Sequence, residues 1–228
     1  MAEQDIRGNL ERVREAIAQA CARAGRSPAD VLLIAVSKTV EVERIERAIA
    51  AGVPALGENR VQEAREKIET LGRPVPWHLI GHLQTNKAKD AARLFDWVHS
   101  VDRLELAAEL DRRARALGRT VDVLLEVNVG AEPQKSGVRP EEIKSLLDAL
   151  AGSSGIRIRG LMAIPPAAPD PEQTRPHFRR LRELRDAAGL EHLSMGMSAD
   201  FEAAVEEGAT MVRIGTAIFG PRPARERA

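Results

Sequence analysis

At 228 residues the chain has room for one domain with a full core, a single barrel of strands and helices typically needing about 250. Lys and Arg number 34 and Asp and Glu 34, a formal net charge of +0, so no global field favours nucleic acid or an anionic lipid surface. A lone cysteine, Cys21, excludes an internal disulfide; no stretch has membrane-spanning or signal-like apolar length, so a cytoplasmic protein away from membranes is expected, and with Tyr at 0 no tyrosine can act as a general base.

Ile6, Leu10, Val13, Ile17 and Cys21 or Ala24 recur at three- and four-residue steps. They predict an amphipathic helix, an extra element over about residues 1–26 that stops near Gly25, with Cys21 as core filler. From Ser27-Pro28 onward one unit repeats: a short apolar strand, a polar turn, a helix. Strands are predicted over Val31 to Val36, Val53 to Leu56, Trp77 to Ile80, Trp97 to His99, Val121 to Val127, Ile158 to Met162, His192 to Met195 and Met211 to Ile214. The helices between them carry apolar stripes such as Val42, Ile45 and Ile49, then Val61, Ala64 and Ile68, then Leu104, Ala107, Leu110 and Leu117. Ile143, Leu146, Leu147 and Leu150 form the next stripe, and Phe178, Leu181 and Leu184 the last. Arg179, Arg180, Arg182 and Arg185 alternate with Glu183 and Asp186 without aromatic partners and read as a solvated helix face, not a nucleic-acid surface.

About eight such units in so short a chain close most economically as a single α/β domain, a (β/α)₈ barrel, over residues 1–228. An open doubly wound sheet would need a glycine-rich first turn, and the turn here is Ser37-Lys38-Thr39-Val40. Residues 221–228 read as a flexible tail.

Function in such a barrel concentrates where the strands end. The period of two puts Leu32, Ile34, Val36 and Lys38 on one face, so the Lys38 amine shares the core side and stands at the mouth. A partly desolvated amine has its charge disfavoured and can attack a carbonyl; the alternative is a strand-end lysine reaching into solvent. Asn59, in Gly57-Glu58-Asn59-Arg60, either hydrogen-bonds a ligand or caps a helix starting at Arg60. The run Trp77 to Lys87 sets His78, Gly81, His82 and an amide at the mouth, but without metal-ligand spacing or an acidic partner, so no metal is expected. Ser100 lacks the glycine elbow of a nucleophile and reads as an N-cap. Lys135, in Gln134-Lys135-Ser136-Gly137 of the loop opened by Asn128, is either a second amine near the mouth or a solvated loop lysine.

The last two strand ends read Ser194-Met195-Gly196-Met197-Ser198-Ala199-Asp200 and Arg213-Ile214-Gly215-Thr216. Each pairs a glycine with a hydroxyl at a helix start, the arrangement that receives an anion, and Ser198 and Thr216 would both cap and bind. Beside a strand-end lysine, these loops are most simply explained by a ligand with a phosphate and an aldehyde, such as pyridoxal 5′-phosphate (PLP).

These segments, with Ala35-Val36-Ser37-Lys38-Thr39, Val61-Gln62-Glu63, Trp77 to Gln84, Lys135-Ser136-Gly137-Val138, Gly160-Leu161-Met162 and Phe219-Gly220, closely resemble the pyridoxal phosphate homeostasis proteins over nearly the whole chain. A small departure is Leu56, where many relatives carry an aromatic residue. The resemblance implies a single barrel like the N-terminal domain of alanine racemase. It also implies an internal aldimine on Lys38, Asn59 beside the pyridine substituents, Ser198, Gly215 and Thr216 on the phosphate, and Arg213 at the pyridine nitrogen. By the same resemblance the chain is expected to bind and buffer PLP and take part in vitamin B6 homeostasis without strong catalysis of its own; PLP-dependent apoenzymes as recipients and a monomeric state are further expectations. An arginine at the ring nitrogen makes the ring a poor electron sink, and the tyrosine that similar racemases use as second base is missing. The enzymatic alternatives are an amino-acid racemase or decarboxylase using His78, His82 or Lys135 as proton carrier, and a Schiff-base aldolase acting on sugar phosphates.

Overall fold

The computed structural model describes residues 5–166 and 168–221. The flexible tail expected over 221–228 therefore lies, past Pro221, outside the described residues. Helix α1 (Ile6–Arg23) starts at Asp5, whose carboxylate accepts the Gly8 amide at 2.9 Å, and ends before Gly25, which turns the chain at φ +64.

Eight strands then alternate with helices: β1 (Leu32–Val36), α2 (Val42–Ala50), β2 (Ala55–Glu58), α3 (Val61–Leu71), β3 (Trp77–Leu79), α4 (Ala88–Leu94), β4 (Trp97–Val101) and α5 (Leu104–Ala116). The second half continues as β5 (Val121–Glu126), α6 (Ile143–Leu150), β6 (Ile156–Met162), α7 (Arg175–Ala187), β7 (His192–Met197), α8 (Phe201–Glu206), β8 (Met211–Ile214) and α9 (Thr216–Phe219). All eight predicted strands are present. They pair in parallel and in sequence order, and β1 closes on β8 through Leu32 opposite Met211 and Ile34 opposite Arg213, so the sheet has no edge.

Closure divides the apolar residues into two layers. Ile34, Ala55, Leu124, Met162 and Met211, with Leu32 and Trp97, fill the barrel. The other face of each strand packs under the helices in one continuous cluster that includes Cys21 and the stripe of α1. Interior space is tight: a Cβ on Gly57 would stand 2.8 Å from Ile34 Cγ2, so β2 carries glycine there.

Two expectations need correction. On α5 the buried side chains are Leu106, Ala107, Leu110, Asp111 and Ala114, while Leu104 and Leu117 are about 40% exposed at its two ends. The arginines of α7 are not simply solvated: Arg175, Arg179 and Arg182 converge on the carboxylate of Glu207, itself 5% exposed, just past α8. Among the described residues no helix is long and apolar enough to cross a membrane.

Candidate functional site

At the carboxyl ends of the strands a cleft of about 270 Å³ is lined by Val36, Lys38, Asn59, Ile80, Ile164, Met197, Ser198, Ala199, Arg213, Gly215 and Thr216. That volume lies near the lower end of the roughly 300–1,000 Å³ usual for ligand sites, enough for one small ring compound and too little for a dinucleotide. All six residues expected from the sequence (Lys38, Asn59, Ser198, Arg213, Gly215 and Thr216) meet on this one cleft.

Lys38 follows β1 on the inward face, half-buried above Val36. The next residue, Thr39, has φ +61 and completes the turn that follows β1. Asn59 does not cap a helix: α3 begins at Val61 and its cap residue Arg60 makes no side-chain bond. Asn59 lines the cleft instead, and its backbone lies against Gly81, where a Cβ would come within 2.4 Å of the Asn59 carbonyl oxygen.

Ser198 also departs from the expected cap. The helix after it starts three residues later, at Phe201. Its Oγ accepts from the amides of Gly215 at 3.3 Å and Ala217 at 3.4 Å, tying the loop after β7 to the start of α9. Thr216 is the first residue of α9 and not its cap, which is Gly215. Hydroxyls and amide N–H groups from two neighbouring strand ends therefore converge, a donor-rich corner suited to a phosphate.

Arg213 is the electrostatic centre of the cleft floor. It is 3% exposed, donates to Ser194 Oγ at 2.7 Å and to the Ala163 carbonyl at 3.0 Å, and among the described residues no carboxylate stands within ion-pair distance. Burial lowers its pKa to about 10, with Asp200 and Glu126 opposing from farther away, so it remains a cation at neutral pH.

Ser194 Oγ, which accepts from Arg213, lies 2.9 Å from His99 Nδ1, and His99 Nε2 lies 2.9 Å from His78 Nδ1, so the four side chains form one continuous hydrogen-bonded chain. His78 stacks on Trp97 with ring centroids 5.6 Å apart. Burial holds both imidazoles neutral, His78 down to about 3 and His99 well below its ordinary value. His78 is thus an interior residue and not part of the mouth, contrary to expectation. The chain Arg213–Ser194–His99–His78 was missed in the sequence, although polar residues at inward positions of β3, β4, β7 and β8 were the available signal.

Ser100 is likewise not a cap; it is buried in β4 and donates to the Gly81 carbonyl at 2.7 Å. His82 is exposed, 3.6 Å from Asp102. Lys135 pairs with Glu132 at 2.8 Å and reaches the Pro165 carbonyl at 3.2 Å, while the side chain of Asn128 bonds both backbone groups of Glu132 and shapes that loop. Among the described residues no group of three or more His, Cys, Asp or Glu is placed to hold a metal ion.

Comparison with known proteins gives a consistent result. The family model described as the N-terminal domain of alanine racemase matches residues 8–223. A protein of Aquifex aeolicus named pyridoxal phosphate homeostasis protein is 49% identical over 93% of this chain and 96% of its own length. One of the same name from Escherichia coli K12 is 45% identical over 96% and 97%. The solved structure of PipY from Synechococcus elongatus with PLP bound superposes with a TM-score of 0.80 at 41% identity, covering 90% of this chain and 100% of that one. An alanine racemase of Clostridium difficile, at 19% identity and a TM-score of 0.70, shares the fold and is covered over only 58% of its length.

Proposed function

The chain belongs to the pyridoxal phosphate homeostasis protein family, and from that membership we propose that its cleft holds PLP through Lys38 and serves intracellular vitamin B6 homeostasis. One observation carries this reading: an amine, a buried guanidinium with no carboxylate partner among the described residues and a two-loop donor corner converge on a cleft of about 270 Å³. The group fits the residues present. A buried cation needs an acceptor, and an unprotonated pyridine nitrogen is one; a carboxylate in that place would instead favour the protonated ring.

When bound, the cofactor would supply an electrophilic aldehyde able to condense with a neutral amine. The protein's own residues do the rest. Lys38 provides the nitrogen, Ser198, Gly215 and Thr216 hold the phosphate, Asn59 hydrogen-bonds the ring substituents, and Ile80, Ile164 and Met197 shield the pocket with apolar surface.

A holder without strong catalysis is the reading we adopt. A racemase needs a proton carrier on each face of its substrate, and His78 lies neutral in the barrel interior, His82 faces Asp102, and Lys135 is engaged by Glu132 and Pro165. Delivery to PLP-dependent apoenzymes, a monomeric state, residence in the cytoplasm and a single domain over 1–228 complete the proposal. The test is a spectroscopic titration of the apoprotein with PLP and with pyridoxal, which lacks the phosphate. PLP should bind at least about a hundredfold more tightly, the worth of two charge-assisted hydrogen bonds at roughly 1.5 kcal/mol each. Equal affinities would contradict the phosphate corner.

A further inference from the structure

Behind Lys38, on the outer side of the sheet where α3 packs, charge is buried in place of aliphatic side chains. Lys67 is 7% exposed, and its Nζ stands 2.7 Å from Glu58 Oε1, 2.7 Å from Glu63 Oε1 and 2.6 Å from the Ser37 carbonyl oxygen. Glu58, fully buried at the end of β2, also accepts from Ser37 Oγ at 2.7 Å, and its other oxygen has no hydrogen-bond partner among the described residues. Glu63 accepts from the Thr39 amide. The carbonyl before Lys38 and the amide after it are therefore both held by one ionic cluster.

Stability alone does not account for this arrangement. A buried ion group with an unpaired oxygen is commonly no better than apolar residues of the same volume, and the flanking positions of α3, Val61, Ala64 and Ile68, are apolar. What the cluster touches is the turn. Thr39 is β-branched at φ +61, a strained conformation that persists only where its surroundings hold it.

We propose that Glu58, Glu63 and Lys67 are positioning residues that fix the Ser37–Thr39 turn and so present the Lys38 amine to the aldehyde. The proposal rests on the PLP reading and adds to it. None of the three lines the cleft; they act through the backbone on either side of Lys38.

The test compares covalent capture of PLP with the stability of the apoprotein. In the double variant Glu58→Leu/Lys67→Leu both charges leave together; the apoprotein should melt at or above the wild-type temperature, while the rate of borohydride-trapped adduct formation falls roughly ten- to a hundredfold, the usual effect of a misplaced reacting group. A double variant that captures PLP at the wild-type rate overturns the proposal. Should it fail to fold, Glu63 decides: Glu63→Leu, which removes the bond to Thr39, should slow capture, and Glu63→Gln, whose amide oxygen still accepts, should restore most of it. Equal rates in these two variants, or losses that only follow their melting temperatures, overturn it as well. If the wild-type adduct does not form on Lys38, the cofactor reading itself fails; if it forms there and the variants behave as wild type, only the positioning role is lost.

Discussion

Glu126 shows how the surroundings of a single residue set its ionisation. Glu126, at the end of β5 in alternation with the interior Leu124, has its carboxyl raised from 4.5 to about 7, first by burial and then by Asp102, with Arg213 opposing. A folded-state value above the unfolded one means that the folded protein binds the extra proton between them. Stability from this group is thus present below about pH 4.5 and is lost as the pH rises to about 7. Glu126→Gln should therefore gain up to about 3 kcal/mol over wild type at pH 8 and little at pH 4.5, read from denaturant melts at both values. A constant difference would refute the raised value. Gly81→Ala should push the Asn59 backbone out of place and weaken PLP binding about tenfold with a smaller change in melting, measured by titration. That Lys38, Asn59, Ser198, Arg213, Gly215 and Thr216 share one cleft was legible in the sequence because loops pairing a glycine with a hydroxyl and a strand-end lysine are local patterns. The hydrogen-bond chain beneath it was not, because His78, His99 and Ser194 come from three strands and nothing local says that they meet.

Among the elements, the strands were the easiest to read. Parallel strands covered on both faces are continuous apolar runs, and all eight appear within two residues of the predicted starts and ends. Helix faces were harder. Leu104 and Leu117 fit a helical stripe on α5 but fall at its ends, where the sheet no longer covers them. The role of α7 needed long-range information, since Glu207 lies more than twenty residues from its arginines. That cluster joins α7 to the end of α8, and α8 follows the Ser198 loop. Glu207→Ala would leave three arginines without their shared carboxylate, each partly solvated, and should cost about 2 kcal/mol in a urea melt with an unchanged slope. A change below about 0.5 kcal/mol would show the cluster to be an ordinary surface pair.

For the molecule as a whole, the barrel places its cleft at one end and α1 along its flank. Asn9 donates to the Ile218 carbonyl at 2.8 Å, and Arg26, just past α1, donates to those of Val205 and Ala209 at 2.7 and 2.9 Å, so this segment backs α8, α9 and the start of β8. Burial of Ile6, Leu10, Val13 and Ile17 contributes about 6–12 kcal/mol at 1.5–3 each, comparable with the 5–15 kcal/mol of a whole domain. A chain beginning at Ser27 should therefore lack cooperative thermal unfolding by circular dichroism. In the full chain, PLP at about a hundred times its Kd should add about 2.7 kcal/mol and raise the melting temperature accordingly. The most direct measurement is to mix the apoprotein with one equivalent of PLP, reduce with borohydride, digest and locate the pyridoxyl group by mass spectrometry. It should reside on Lys38; a modification spread over surface lysines, with Lys38 unmodified, would contradict the account.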